Sequence, residues 1–231
     1  MPKLVRSVVA EMVGMLLFVF LGAGSVVMNA ATAGSLGSLG IALVHGVGMA
    51  IIVSATMNIS GGHHNPAVTF GLLIAGKIDT LTAGAYVVAQ LIGAVLGALL
   101  ITALLPSGAV HATLGGTPQL GLSVTLMQGI WIEAVLTFFL VSAVFGTAVS
   151  TDAPRIGGFG IGLAIAVDAL VGGSLTGAMM NPARAFGPAI VAHEMHGQAV
   201  YWIGPLIGAA IAAALWRWLL LPQEPGQDTR A

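Results

Sequence analysis

The chain of 231 residues has no cysteine, little charge and few aromatic side chains. With no thiol there is no disulfide framework, no cysteine nucleophile and no thiolate-ligated metal. Seven Lys and Arg stand against eight Asp and Glu, so the formal net charge is −1 and no basic surface exists to hold nucleic acid. Charged residues make up only 6% of the sequence, whereas 57% are hydrophobic and the mean hydropathy is +1.01. Soluble domains ordinarily carry about 25% charged residues, so a soluble fold is excluded and a bilayer is the expected solvent. Apolar stretches of spanning length lie near residues 8–29, 39–57, 81–103, 124–149, 157–175 and 199–220. Lys3 and Arg6 before the first stretch, and Ala31-Thr32-Ala33 after it, resemble a secretory signal. The stretch is long for such a signal and contains Glu11, so it is read as a retained span.

What the chain has in quantity is glycine, 33 residues of it, with small-xxx-small spacing at Gly93/Gly97, Gly158/Gly162 and Gly204/Gly208 that lets membrane helices approach closely. It also has the tripeptide Asn-Pro-Ala twice, at Asn65-Pro66-Ala67 and Asn181-Pro182-Ala183. Asparagine caps a helix N-terminus by accepting a backbone N–H, and proline suits the first helical position, where its missing donor has no partner to lose. Each tripeptide therefore opens a helix, expected over 66–75 and 182–191. Ten residues give a helix of roughly 15 Å, half the hydrocarbon thickness, which predicts two half-helices entering from opposite faces and meeting near the midplane.

The two halves of the sequence match. Glu11 and Glu133 each stand in an apolar helix about 50 residues before their own Asn-Pro-Ala, and Tyr86-to-Ala94 parallels Tyr201-to-Ala209, with Gln90 aligned to Pro205. Three spans per copy is an odd number, so the second copy is inverted relative to the first. The expected organisation is one channel domain: a first repeat over 1–103, a linker rich in Gly, Thr, Pro and Ser over 104–123, a second repeat over 124–220, and a tail over 221–231. The fold class is thus an all-α membrane protein of six spans and two half-helices. Lys3, Arg6, Lys77, Arg155, Arg217 and Arg230 share one side of this scheme, and the loops near 30–38, 104–123 and 192–198 contain no Lys or Arg. The positive-inside rule makes that side, with both termini, cytoplasmic. The remaining cation, Arg184, lies inside the second half-helix, where a charge is tolerated only facing water or a partner.

The segments Ile59-Ser60-Gly61-Gly62-His63-His64-Asn65-Pro66-Ala67-Val68 and Met180-Asn181-Pro182-Ala183-Arg184-Ala185-Phe186-Gly187-Pro188 resemble those of the major intrinsic proteins, the aquaporins, and the likeness runs through nearly the whole chain. The resemblance implies one pore per subunit, passive bidirectional flow, usually four identical subunits, and an integral protein placed here in the plasma (inner) membrane. It implies no enzyme activity and no cofactor, and its partners are water, small neutral solutes and the bilayer.

On that scheme the half-helix N-termini, each equivalent to about half a positive charge, meet at the pore centre and repel cations. Asn65 and Asn181 offer amide N–H groups to a passing water, and carbonyls of Gly62, His63, His64, Gly177, Ala178 and Met179 line one wall. Counting without gaps puts the family's selectivity ring at His45, Ala169, Ala178 and Arg184. His and Ala at the first two places, where strict water channels resemble Phe and His, predict a wider ring, similar to tonoplast and ammonia-permeable aquaporins. Ammonia, hydrogen peroxide and urea become co-substrates on this reading. Ala185, Ala189 and Tyr201-Trp202 follow the aquaporin pattern rather than that of glycerol facilitators, and a glycerol/urea facilitator is the alternative within the family. The resemblance makes Glu11 and Glu133 structural acids that bond the pore loops, and puts His63 in the cytoplasmic vestibule. Asp168 is expected to point away from the pore as the helical neighbour of Ala169. His64 has no assigned role, and His111, His193 and His196 read as surface residues without metal spacing. A membrane hydrolase built on Ser54 or Ser174 lacks a visible nucleophile–base pairing, and an ion-coupled transporter would need a coupling site.

Overall fold

The computed structural model describes residues 2–222; most of the expected tail at 221–231, with Arg230, lies outside the described residues. The elements in order are α1 (Lys3–Ala31), α2 (Gly37–Ser60), α3 (Pro66–Ile74), α4 (Thr80–Leu104), α5 (Ser107–Ala112), α6 (Leu126–Val144), α7 (Phe159–Thr176), α8 (Pro182–Val191) and α9 (Gln198–Leu215). Helices α6 and α9 each run on through a five-residue π turn, Phe145–Val149 and Trp216–Leu220. Six helices are long and apolar enough to cross a membrane, and no strand occurs among the described residues. Helix α1 starts at Lys3, ahead of the apolar stretch, because Lys and Arg are good helix formers that extend a span into the headgroup region.

Local chemistry sets the boundaries. The Asp79 carboxylate accepts the Thr82 N–H at 2.9 Å and starts α4, and Thr125 with Gln128 forms a reciprocal capping box that starts α6. Helices α2 and α7 both stop at a left-handed glycine, Gly61 at φ 91° and Gly177 at φ 85°, which turns the chain toward the half-helix that follows. Half-helix α3 ends at Ile74, one residue short of the expected 75, with Ala75 as its C-cap. The stretch 104–123 is more than a connecting loop: it holds α5 and a 3₁₀ turn at Leu114–Gly116, and Gly116, Thr117 and Pro118 are buried. Turn-forming composition predicted the irregular backbone there but not that it folds inward.

The packing scheme maps onto itself when the repeats are exchanged. Helix α1 lies against α4 as α6 lies against α9; α1 touches α2 as α6 touches α7; α2 and α7 pack on one another. Each half-helix rests on the last helix of the other repeat, α3 on α9 and α8 on α4. Glycine makes the close crossings possible. A Cβ on Gly93 would stand 2.2 Å from the Met12 carbonyl oxygen of α1, and one on Gly208 would stand 2.1 Å from the Ala134 carbonyl oxygen of α6.

Backbone cannot rotate out of the way as a side chain can. Gly93→Ala and Gly208→Ala should therefore each cost at least about 1–3 kcal/mol by overpacking. Gly84 and Gly173 have open space where a Cβ would stand, and their alanine variants should be neutral or up to about 1 kcal/mol more stable through helix propensity. Thermal unfolding of the four variants in detergent checks the contrast.

Candidate functional site

The two half-helices meet head to head, and their capping asparagines tie them together. Asn65 is extended at φ −162°, ψ 121°, and its Oδ1 accepts the Ala67 N–H at 2.8 Å; Asn181 at φ −140°, ψ 104° accepts from Ala183 at 3.1 Å and Arg184 at 3.2 Å. With each oxygen committed to its own helix, each amide nitrogen faces the other repeat. Asn65 Nδ2 donates to the Met180 carbonyl at 2.9 Å, and Asn181 Nδ2 donates to the His64 carbonyl at 2.8 Å. A primary amide has two N–H groups, so one on each side is left over. Among the described residues Asn65 has no second protein acceptor, and that for Asn181 is the weak Met15 sulfur at 3.8 Å. The residues that present the bridging carbonyls, His64 at φ 44° and Met180 at φ 51°, sit in the left-handed region that side chains seldom adopt.

A buried acid holds each approach loop. Glu11 Oε1 accepts from Ser60 Oγ at 2.6 Å and the His63 N–H at 3.0 Å, and its Oε2 from the His64 N–H at 2.6 Å. Glu133 repeats the pattern with Thr176 Oγ1 at 2.6 Å, the Met179 N–H at 2.9 Å and the Met180 N–H at 2.7 Å. Tyr86 and Tyr201 close the set, their hydroxyls donating to the Ser60 and Thr176 carbonyls at 2.9 and 3.0 Å. Neither acid lines the cavity that contains Asn65 and Asn181. The copies differ in two respects: His64 Nδ1 lies 3.5 Å from Glu11 Oε2 where the second copy has Met180, and Gln90 stands where it has Pro205. Gln90 Nε2 donates to Glu11 Oε2 at 2.8 Å, whereas its sequence counterpart, Pro205, has no donor.

The residues counted as a filter come together. His45, Ala169, Ala178 and Arg184 line a cavity of about 500 Å³ that also contains Asn65 and Asn181. His45 Nδ1 lies 2.9 Å from the Ile41 carbonyl, so Nδ1 carries the proton and Nε2 is the acceptor facing Arg184 Nη2 at 3.4 Å. The imidazole stands edge-on to Phe18, 5.9 Å between centroids, and over Gly22, where a Cβ would come within 2.8 Å of the ring. Arg184, 1% exposed, gives Nη1 to the Gly116 carbonyl at 3.1 Å. Gly116 is at φ 78° with Ala23 packed against it, a position that admits no side chain.

Of the carbonyl segments, Gly62, His63, Gly177, Ala178 and Met179 border the cavity. His64 does not: it is fully buried, its carbonyl is taken by Asn181, and its ring sits against Gly14 with Nε2 2.7 Å from Thr56 Oγ1. Asp168 is buried outside the cavity lining, beside Ala169, which is in it. His63 lines the cavity and places Nδ1 3.1 Å from Thr69 Oγ1. Sequence reasoning did not find Gly116 or Met180, whose contributions are backbone carbonyls with no side-chain signature. The tyrosine pair was visible as a repeat feature, but its hydrogen bonds were not.

Residues 1–216 match the family model described as major intrinsic protein. The chain belongs to the major intrinsic protein family. It is 43% identical to Aquaporin TIP4-4 of Zea mays over 95% of this chain and 88% of that one. It is 40% identical to the probable aquaporin TIP3-2 of Arabidopsis thaliana over 96% and 86%. The fold matches that of the aquaglyceroporin from Plasmodium falciparum with a TM-score of 0.79, covering 94% and 97% of the two chains at 23% identity. Members of this family are channels rather than enzymes, and membership supports an integral membrane protein with passive channel function for water and small solutes. Its TIP-type relatives lend no support to a plasma (inner) membrane location.

The acid networks yield a quantitative contrast. In Glu11→Gln either orientation of the amide orphans two donors, because each carboxylate oxygen receives two. In Glu133→Gln one orientation orphans only the Met180 N–H. At about 1–3 kcal/mol for each buried unsatisfied donor, Glu11→Gln should unfold well before Glu133→Gln in a detergent melt.

Proposed function

We propose that this major intrinsic protein is a water channel that also passes ammonia, hydrogen peroxide and urea, and that it excludes protons and ions. The observation that carries the reading is the presence, in one cavity, of two capping amides together with His45, Ala169, Ala178 and Arg184, which we take as an asymmetric ring. Two alanines leave the ring wide, and the guanidinium and imidazole give it donors and an acceptor for small polar molecules. Water passing the centre meets the free amide N–H groups and the positive ends of two helices. Its oxygen is held there, its hydrogens point outward, and a cation is repelled. The relatives named aquaporins support water as the first substrate. Glycerol is disfavoured by the aquaporin-like Ala185, Ala189 and Tyr201-Trp202. The chain assembles as a tetramer in the manner of its family, with Lys3, Arg6, Lys77, Arg155 and Arg217 on the cytoplasmic side.

Stopped-flow light scattering on proteoliposomes tests the proposal. The protein should raise osmotic water permeability with a low activation energy and no proton leak, and vesicles that shrink no faster than empty ones refute it. Arg184→Val should admit protons or cations, because the fixed charge beside His45 is lost while the half-helix dipoles remain. An unchanged leak in folded protein would remove Arg184 from the exclusion mechanism. His45→Phe with Ala169→His should cut ammonia and urea flux while retaining water flux, and equal loss of all three would refute the ring.

A further inference from the structure

A second cavity, of about 230 Å³, opens on the Arg184 side of the molecule between the ends of α4, α5 and α8. Two histidines distant in sequence, His111 and His193, line it together with Thr102, Leu114, Gly115 and Val191. His111 stands in the last turn of α5, and His193 follows the C-cap of α8 in a left-handed conformation at φ 54°. Both side chains are exposed, so ions reach them from water. The C-terminal carbonyls of α8 give the cavity a negative end that favours a cation, and Thr102 Oγ1, which donates to the Ala98 carbonyl at 3.2 Å, keeps lone pairs free.

We propose that His111 and His193 form a site for a divalent transition metal, and that its occupation lowers flux through the pore. Among the described residues no three His, Cys, Asp or Glu groups converge as a metal site, so the ligands are two imidazoles completed by water. Such a donor set suits borderline ions and, by the order of divalent affinities, binds Cu²⁺ most tightly. The link to flux, which rests on the channel reading, is short. Leu114 and Gly115 in the cavity wall lead directly into Gly116, whose carbonyl receives Arg184 Nη1, and Arg184 itself is carried by α8. A metal held by both histidines ties the end of α5, which runs through Thr113 into the 114–116 turn, to the far end of α8. That shifts Gly116, whose Cα packs against Ala23, and draws its carbonyl away from Arg184 Nη1, so that the released guanidinium swings into the opening.

Cu²⁺ titrated into untagged protein in proteoliposomes, followed by electron paramagnetic resonance and by stopped-flow shrinkage, tests binding and regulation separately. The parent should show saturable Cu²⁺ with imidazole-nitrogen coupling and falling water flux, reversed by EDTA. His111→Ala and His193→Ala should each raise the half-effective Cu²⁺ concentration by at least about tenfold, the loss that even outer-shell changes to metal sites cause. The double variant should lose both signals and keep the parent's flux in EDTA, and His196→Ala should change nothing. Cu²⁺ coupling retained in the double variant, or absent in the parent, overturns the site. Specific binding without a fall in flux overturns the regulation and leaves the site. A parent that conducts no water in EDTA refutes the channel reading, while the resonance signal still decides the site.

Discussion

The structure depends on one reciprocal exchange at its centre, in which the amide of Asn65 binds the carbonyl before Asn181 and the amide of Asn181 binds the carbonyl before Asn65. Two helix N-termini pointing at each other repel, since each carries about half a positive charge. Two neutral amide–carbonyl bonds, at 2.9 and 2.8 Å, hold them together and fix which face of each asparagine turns to the cavity. The exchange works only because Asn Oδ1 is already committed to its own helix, so the cap and the bridge are parts of one arrangement.

That arrangement obliges non-helical backbone to run through the middle of a membrane protein, where each unsatisfied polar group costs several kcal/mol. The obligation explains why acids occur in spans where acids are otherwise avoided. Glu11 and Glu133 supply acceptors to the donors of the two approach loops, and a serine or threonine at the loop's start relays a further bond, from Gly62 N–H to Ser60 and from Ala178 N–H to Thr176. Gln90 and His64 make the first loop the more heavily bonded of the two. Pro205 leaves the second with less, and it is the second loop that contains Ala178, a residue of the proposed filter.

Much of this was legible in the sequence because the constraints are local or periodic. Hydropathy marks a span by length, Asn-Pro marks a helix start by its donors, and a duplicated Glu–Asn spacing marks a repeat. Counting then brought His45, Ala169, Ala178 and Arg184 into one cavity, since a helix without insertions keeps its register. Two kinds of information stayed hidden. Partners that act through backbone carbonyls, such as Gly116 and Met180, leave no residue-type signal. Side chains whose neighbours lie in other helices, such as His64 against Gly14 and Thr56, acquire their surroundings only on packing. The stretch 104–123 combined both: its glycines announced turns, but its inward path is set by Arg184 seeking an acceptor.

The inverted repeat also bears on why the proposed filter lies on one side only. Counting back 20 residues from each Asn gives His45 and Ile161, counting back 12 gives Val53 and Ala169, counting back 3 gives Gly62 and Ala178, and counting forward 3 gives Val68 and Arg184. All eight line the same cavity, so the repeat supplies two equivalent sets of four positions to it, the proposed ring and its counterpart. One ring carries an imidazole and a guanidinium in contact; the other is Ile161, Val53, Gly62 and Val68, with no hydrogen-bonding side chain at all. A charge in both rings would double the desolvation cost of buried cations and bind anions from either side. A charge in neither would leave the half-helix dipoles alone against ions. The symmetry of the backbone thus sets equivalent positions along the path, and on the proposed reading selectivity enters where polar side chains break that symmetry, at His45 against Ile161 and at Arg184 against Val68.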